Sequence, residues 1–314
     1  MKSCRIRAAA LLAVASLAAG GFVAAPLHAL EFPIDHHVRL TPDNAILGHY
    51  SATKKPVLTV KSGAIVRIDG GGGARSRGAG SELNAETVDE WLKENNVPTT
   101  VANNVCLQET IRVLKETANR LPPAPGATAG AGGGGGHLLV GPIYIEGAEP
   151  GDSLEIRILE VTPRIPFGTT GGTPGRGGLA LGMAATETPP AASGSSSASV
   201  PRPFSKVTIL DLKRNAGVFG HNIEVPLAPF MGVMGTCPAD SEGPNRRSTA
   251  PGNFGGNLDC KELVTGTTLY LPVFQKGGLF YTGDSHAAQG DGEVTGTAIE
   301  TANTCILQFF LHKG

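Results

Sequence analysis

The chain is predicted to fold as a mainly β protein, an antiparallel β-sandwich with a helical insertion. Three observations point there. Short runs rich in β-branched and aromatic residues recur between turn residues, and no strand–helix–strand alternation links them. Glycine and proline number 44 and 23 in 314 residues, which suits many short strands joined by turns and stays below the level of wholesale disorder. One stretch, residues 81–121, carries helical periodicity and lies between two loose segments, so it reads as an insertion into a β domain.

The first seven residues hold Lys2, Arg5 and Arg7 and lead into an apolar, small-residue run over 8–25. A basic start before a short apolar run is the pattern of a secretory signal peptide. Cleavage is expected after Ala29, giving a signal at 1–29 and a mature domain at 30–314 that is periplasmic or secreted. An uncleaved anchor is the less favoured alternative, because the run is marginal in length and holds Gly20 and Gly21. Losing the three basic residues takes the formal charge from −1 to −4. That balance excludes a nucleic-acid partner, which calls for a basic face. No stable membrane span is expected after cleavage, and a homo-oligomer stays open. Four cysteines remain, Cys106, Cys237, Cys260 and Cys305. In an exported chain they allow three disulfide pairings. Cys237 with Cys260 is the preferred pair, since both lie in a loop-rich stretch; free thiols are the alternative.

Within the mature chain, 56–68 holds two β-rich runs around Ser62-Gly63 and reads as a hairpin. In the helical insertion, Thr87-Val88-Asp89-Glu90 matches a capping box, followed by Trp91 and Leu92 at helical spacing. Leu107, Ile111, Leu114, Ala118 and Leu121 define a second amphipathic helix, whose apolar face is expected to pack on the sheet. Residues 122–136 form a Pro/Ala/Gly linker and 168–203 a flexible loop of low complexity. Further strands are expected at 154–158, 206–210, 268–274, 279–281, 293–299 and 305–311.

The densest chemistry lies in Gly283-Asp284-Ser285-His286-Ala287-Ala288-Gln289-Gly290-Asp291-Gly292-Glu293. Ionisable groups among glycines and apolar strands are costly unless a metal ion or polar substrate compensates them. Asp284 and His286 are two apart, so on a strand they share a face, and Asp291 and Glu293 repeat the spacing. Gly290 and Gly292 allow a tight turn between the pairs. The result is a concave set of oxygen and nitrogen ligands. Gln-Gly-Asp-Gly is equally a good hairpin turn whose Asp caps its own backbone.

Four blocks carry a resemblance to a known family. They are Gly-Pro-Ile-Tyr-Ile-Glu-Gly-Ala-Glu-Pro-Gly-Asp at 141–152, Pro-Phe-Met-Gly-Val-Met-Gly at 229–235, Pro-Gly-Asn-Phe-Gly-Gly-Asn-Leu-Asp at 251–259, and Leu271-Pro272-Val273 onward to Glu293. In order and wording they resemble the acetamidase/formamidase family over roughly residues 57–300, outside the insertion and loose loops. The resemblance implies a jelly-roll-like β-sandwich, hydrolysis of short aliphatic amides to a carboxylate and ammonia, and an associated divalent metal. Two departures stand out. Family members continue well past the block ending at Glu300, so this chain is expected to be truncated at its C-terminus. The loop at 168–203 replaces a tighter segment.

Under that resemblance the roles divide as follows. Amide hydrolysis needs a polarised carbonyl, an activated water and a proton for the leaving amine. Asp284 and His286 are the candidate metal ligands, with Asp291 completing the set and His137 and His49 as further candidates. Glu293 or Glu149 is the acid/base. Asn257, with Asp259, follows Gly255-Gly256 and suits a small amide substrate, although Gly-Gly is equally a bulge. Asp152 is read as capping the Pro150-Gly151 turn. Zinc is preferred to calcium, because His286 brings nitrogen to a site that calcium would fill with oxygen alone. Two alternatives compete: a thiol amidase, for which no nucleophile motif is visible, and a non-catalytic calcium- or carbohydrate-binding sandwich module.

Overall fold

A computed structural model describes residues 33–76, 81–120, 136–172, 178, 204–220, 222–243 and 245–314. The predicted signal peptide, most of the linker and most of the predicted flexible loop lie outside these residues.

The strands in chain order are β1 (His36–Val38), β2 (Ala45–Leu47), β3 (Leu58–Val60) and β4 (Ile65–Asp69). Two helices follow, α1 (Ala85–Glu94) and α2 (Val105–Glu116). Then come β5 (Leu138–Ile145), β6 (Ser153–Pro163), β7 (Phe167–Gly172), β8 (Phe204–Asp211), β9 (Ala216–Gly220) and β10 (Ile223–Pro226). The last are β11 (Phe230–Gly235), β12 (Gly255–Asn257), β13 (Thr268–Pro272), β14 (Phe280–His286) and β15 (Asn303–His312).

Two sheets pack face to face. One runs β1-β4-β15-β6-β13; the other runs β12-β11-β14-β5-β2, with β3 added beside β5. Pairing is antiparallel except for β1 with β4 and β3 with β5. Alternation along β6 and β15 turns Leu154, Ile156, Ile158, Cys305, Leu307 and Phe309 inward. They meet Val140, Ile143, Met231, Met234 and Phe280 of the opposite sheet. Phe280 and Phe309 stack edge to face across this core at 5.2 Å. The mainly β, antiparallel expectation therefore holds.

A smaller sheet, β10-β9-β8-β7, continues the chain beyond β6. The helical insertion packs against the β domain as predicted, on β7 and β8 and the turns beside them. Val88, Leu92 and Leu107 cluster with Ile165, Phe167 and Ala302, and Trp91 lies 5.7 Å from the Phe167 ring. No described helix is long and apolar enough to cross a membrane.

Several local expectations are corrected. The stretch 56–68 is not a hairpin: β3 pairs with β5 and β4 with β15, in different sheets. Each strand finds its edge in tertiary structure, and Gly63, at φ +98°, turns the corner between them. The cap of α1 lies three residues earlier than read. Asn84 accepts from the Thr87 amide at 2.9 Å, while the Thr87 hydroxyl accepts from the Asn84 amide. Helix α2 stops before Thr117 and buries Cys106, Leu107, Thr110 and Val113, a face rotated from the predicted stripe. Phe167–Gly172 is strand β7, so the predicted loop loses its first residues. Residues 293–299 do not form a strand; the chain makes a single 3-10 turn at Asp291–Glu293 instead. All four cysteines are free, including Cys237 and Cys260.

Candidate active site

The site is built on the end of β14. Register between β11 and β14 pairs Met231 with Ser285 and Val233 with Gly283, which sets Gly232 opposite Asp284. Asp284 sits at φ 55°, a left-handed backbone in the middle of a strand. Asp and Asn tolerate that region better than most residues, and its cost is characteristic of functional positions. The alternation argument still delivers its result: Asp284 Oδ2 lies 3.4 Å from His286 Nε2.

His286 is held on all sides, with its side chain 1% exposed. The Asn303 amide donates to the carbonyl oxygens of both Phe230 and His286, tying β14 to β11 and β15. The Phe230 ring meets the imidazole edge to face at 4.9 Å. Gln289 contacts Nδ1 at 3.0 Å.

Around this pair gather groups from three other segments. His137, just before β5, brings Nε2 to 3.6 Å from Asp284 Oδ2. Asp259 follows β12 on a turn anchored by Gly232, whose carbonyl accepts from the amides of Leu258 and Asp259. Asn257 donates to Asp259 Oδ2 at 2.7 Å. From beyond β14, Glu300 forms a backbone bridge with His286 and sets Oε1 3.6 Å from Nε2. Glu293 reaches back from the 3-10 turn. Ligand atoms of Asp259, Asp284 and His286 lie within 4.8 Å of one another, and so do those of His286, Glu293 and Glu300.

Several of these atoms lack a partner although they are buried. Asp259 Oδ1, His286 Nε2, Glu293 Oε1 and Asn257 Oδ1 make no hydrogen bond of sound geometry. A folded protein rarely leaves such groups together unless something else meets them. The backbone comes equally close. A Cβ on Gly232 would lie 2.7 Å from His286 Cε1 and 2.8 Å from both Asp259 Oδ1 and Asp284 Oδ2.

The electrostatics follow from the crowding. Burial disfavours the Asp284 carboxylate, but His286 and His137 outweigh it and hold the pKa below the usual range. Burial also disfavours the His286 imidazolium, yet Asp284, Glu300 and Asp259 push its pKa up to about 9. Burial, then Asp259, raises Glu293 to about 7. Burial and Asp284 push both Asp259 and Glu300 upward. Perturbations of both signs within one cluster mark a functional site.

Two predicted residues fall elsewhere. Asp291 is 88% exposed and pairs with Lys261 at 2.9 Å, so it is not part of the ligand set. The reason is local. The 3-10 turn, with Gly292 at φ 70°, breaks the assumed period of two and sends Asp291 outward while Glu293 turns inward. Glu149 is also removed from the site. Leu139 pairs with Gly283, and Glu149 lies beyond Ile145, roughly 20 Å further along at strand rise. There it is half-exposed and faces Lys276. His49 is buried and tied to the Leu47 carbonyl. Asp152 accepts from the Glu149 amide, as a turn cap does. Glu300 was missed: a single acid in Ala-Ile-Glu-Thr-Ala carries no motif, although one charge within a buried stretch was the available signal.

The model of the acetamidase/formamidase family matches residues 134–242 and 241–314. The chain belongs to that family. Among curated relatives, the acetamidase of Mycolicibacterium smegmatis is 30% identical over 208 residues, covering 50% of this chain and 49% of that protein. A formamidase of Methylophilus methylotrophus is 47% identical over 49 residues, 16% of this chain and 12% of that one. The chain thus spans about half the length, or less, of these curated relatives. The crystal structure of an acetamidase from Bacillus halodurans superimposes with a TM-score of 0.58 at 26% identity, covering 88% of this chain and 71% of that one. Every residue of the cluster, from His137 to Glu300, falls within the two matched segments of the family.

Proposed function

We propose that this protein hydrolyses short aliphatic amides such as formamide or acetamide, releasing ammonia and a carboxylate, with the help of a divalent cation. The observation that carries the reading is the pair of overlapping groups, Asp259–Asp284–His286 and His286–Glu293–Glu300, that share the buried His286 in a member of the acetamidase/formamidase family. The donor set fits a cation, because its buried Asp259 and His286 atoms lack partners and Gly232 leaves the cradle open. Asp259, Asp284 and His286 would hold the ion. Bound there, it would polarise the amide carbonyl and acidify a water molecule. Zinc is preferred to calcium on the nitrogen donor of His286.

The chain's own groups supply the rest. Glu293 and Glu300 flank His286, and both carboxyls are biased toward the protonated form. A carboxyl so poised gives a proton to a departing amine nitrogen and, once ionised, takes one from water. Asn257 has its amide nitrogen engaged by Asp259 and its oxygen free. That oxygen can accept from the NH₂ group of an amide and orient it.

The thiol mechanism loses support. Burial pushes Cys106 up to about 11 and Cys237 and Cys305 to about 12, and raises Cys260 as well, so none of the four favours a thiolate near neutral pH. An all-oxygen calcium module sits poorly with two imidazoles against Asp284.

Ammonia release from formamide and acetamide is the assay. A zinc chelator should abolish it, while cysteine alkylation should not. His286→Ala should lose zinc and turnover together. Turnover that survives chelation but not alkylation overturns the metal mechanism. No release from any short amide, with tight calcium binding, replaces the enzyme with a binding module.

We also propose export to the periplasm or beyond, on the strength of the basic start and apolar run at 1–25. The mature protein should begin near Leu30 on N-terminal sequencing. Intact Met1 in a cytoplasmic fraction would overturn this.

A further inference from the structure

Gln289 contacts two partners, and their chemistry removes its ambiguity. Its Nε2 donates to the backbone carbonyl of Asp259. A carbonyl oxygen only accepts, so the nitrogen end of the Gln289 amide must point there. The oxygen end, Oε1, then faces His286 Nδ1 at 3.0 Å. An amide oxygen also only accepts, so Nδ1 must carry a proton. In the neutral imidazole this leaves the lone pair on Nε2, the atom that lies among Asp284 and Glu300 without a hydrogen-bond partner. His137 is fixed in the same sense by a different group. Its Nδ1 lies 3.1 Å from the Ser248 carbonyl, and its Nε2 faces Asp284. One contact of Gln289 thus orients the imidazole, and the other ties down the turn that bears Asp259.

We infer that Gln289 is a positioning residue: through Oε1 it locks His286 as the Nδ1–H tautomer and presents Nε2 as a lone-pair donor to the cation, and through Nε2 of its own amide it fixes the Asp259 turn. The inference rests on the metal reading of the site for its consequence, but the tautomer itself does not. Outer partners of metal-bound histidines commonly act this way, and their loss costs about 10–100-fold in metal affinity.

The test uses two readouts. In the metal-free protein with neutral imidazole, ¹⁵N NMR of histidine-labelled protein reports the tautomer, with the His286 signal identified by its loss in His286→Ala. The wild type should show Nδ1–H. Zn²⁺ affinity is then measured by competition with a chromophoric chelator. Gln289→Met removes both contacts at similar volume and should weaken zinc binding by about 10–100-fold and mix the tautomers. Gln289→Glu still accepts from Nδ1–H and should recover most of the zinc affinity, although it cannot donate to Asp259. An Nε2–H tautomer in the wild type overturns the inference whether or not any variant folds. Unchanged zinc affinity in folded Gln289→Met overturns it as well. A wild type that takes up no zinc while His286 keeps Nδ1–H overturns the metal reading and leaves the lock standing.

Discussion

Gly232→Ala is the sharpest probe of the site, because it adds one methyl group and removes nothing. The new Cβ would lie 2.7 Å from His286 Cε1 and 2.8 Å from carboxylate oxygens of Asp259 and Asp284. Against the 3.4 Å where ordinary contact begins, the shortfall is about 0.7 Å. Gly232 lies in strand β11 outside the left-handed region, so alanine suits the backbone and any damage comes from the contact. The unfolded-state entropy gain of about 0.4–1 kcal/mol offsets part of an overpacking cost of about 1–3 kcal/mol, so net destabilisation stays near 1–2 kcal/mol and the protein folds. The atoms that must retreat are the proposed ligands. A misplacement near 1 Å costs on the order of 10²-fold in rate, so kcat/KM should fall by about 30- to 100-fold and zinc affinity should fall with it. Thermal melting, chelator competition and ammonia release measure the three quantities. Turnover and zinc affinity within twofold of wild type, in a folded protein, would refute the claim that β11 packs directly on the reacting groups.

Glu293→Gln should keep zinc and lose turnover by about 10²-fold or more, since it removes a proton carrier and leaves the cation ligands in place; equal loss of zinc would make Glu293 a ligand. Asp291→Asn and Glu149→Gln should leave both zinc affinity and turnover within about twofold, because both carboxylates are solvated and paired with lysines outside the cluster; a large loss from either would restore it to the site. Asp69 is the residue to test for acid stability. Burial opposes its charge, but the Thr304 hydroxyl, Arg164 and His37 hold its pKa below the usual range. A carboxyl with a depressed folded pKa stabilises fully above its unfolded value of about 3.9 and progressively less as pH falls through the folded one. Asp69→Asn should therefore cost about 1.5–3 kcal/mol at neutral pH and flatten the decline below about pH 4, as read by denaturant melts across pH; an unchanged acid limb would refute the assignment.

The parts of this fold that were legible in the sequence are those set by local periodicity. Alternation in 154–158 and 305–311 marks β6 and β15 because one face of each is buried in the core. The spacing of two in Asp284 and His286 brings them together for the same reason, even though a left-handed residue interrupts the strand. What local pattern does not encode is the partner. Ser62-Gly63 reads as a hairpin turn, but β3 and β4 find different edges more than 70 residues away in sequence. Glu300 reaches His286 through a bridge that no motif announces. Asp291 and Glu293 repeat the spacing of the first pair, and a single turn sends one into solvent and the other toward the site. Side-chain type gives chemistry; exposure comes from the turn beneath it.

The position of β15 has a consequence for how the molecule comes to be made. This strand, the last described in the chain, lies between β4 and β6, which precede it by 140 residues or more. Until residues 303–312 insert, β4 and β6 each present an open edge lined by Val66 and Ile68 or by Ile156 and Ile158. Such unpaired apolar edges template intermolecular pairing, and closure over so long a loop is slow. Synthesis therefore passes through a long interval in which most of the sandwich exists without its central strand, and Asn303, which pins His286, arrives with that strand. Completion of the proposed site and protection of these edges from aggregation are acquired in the same step.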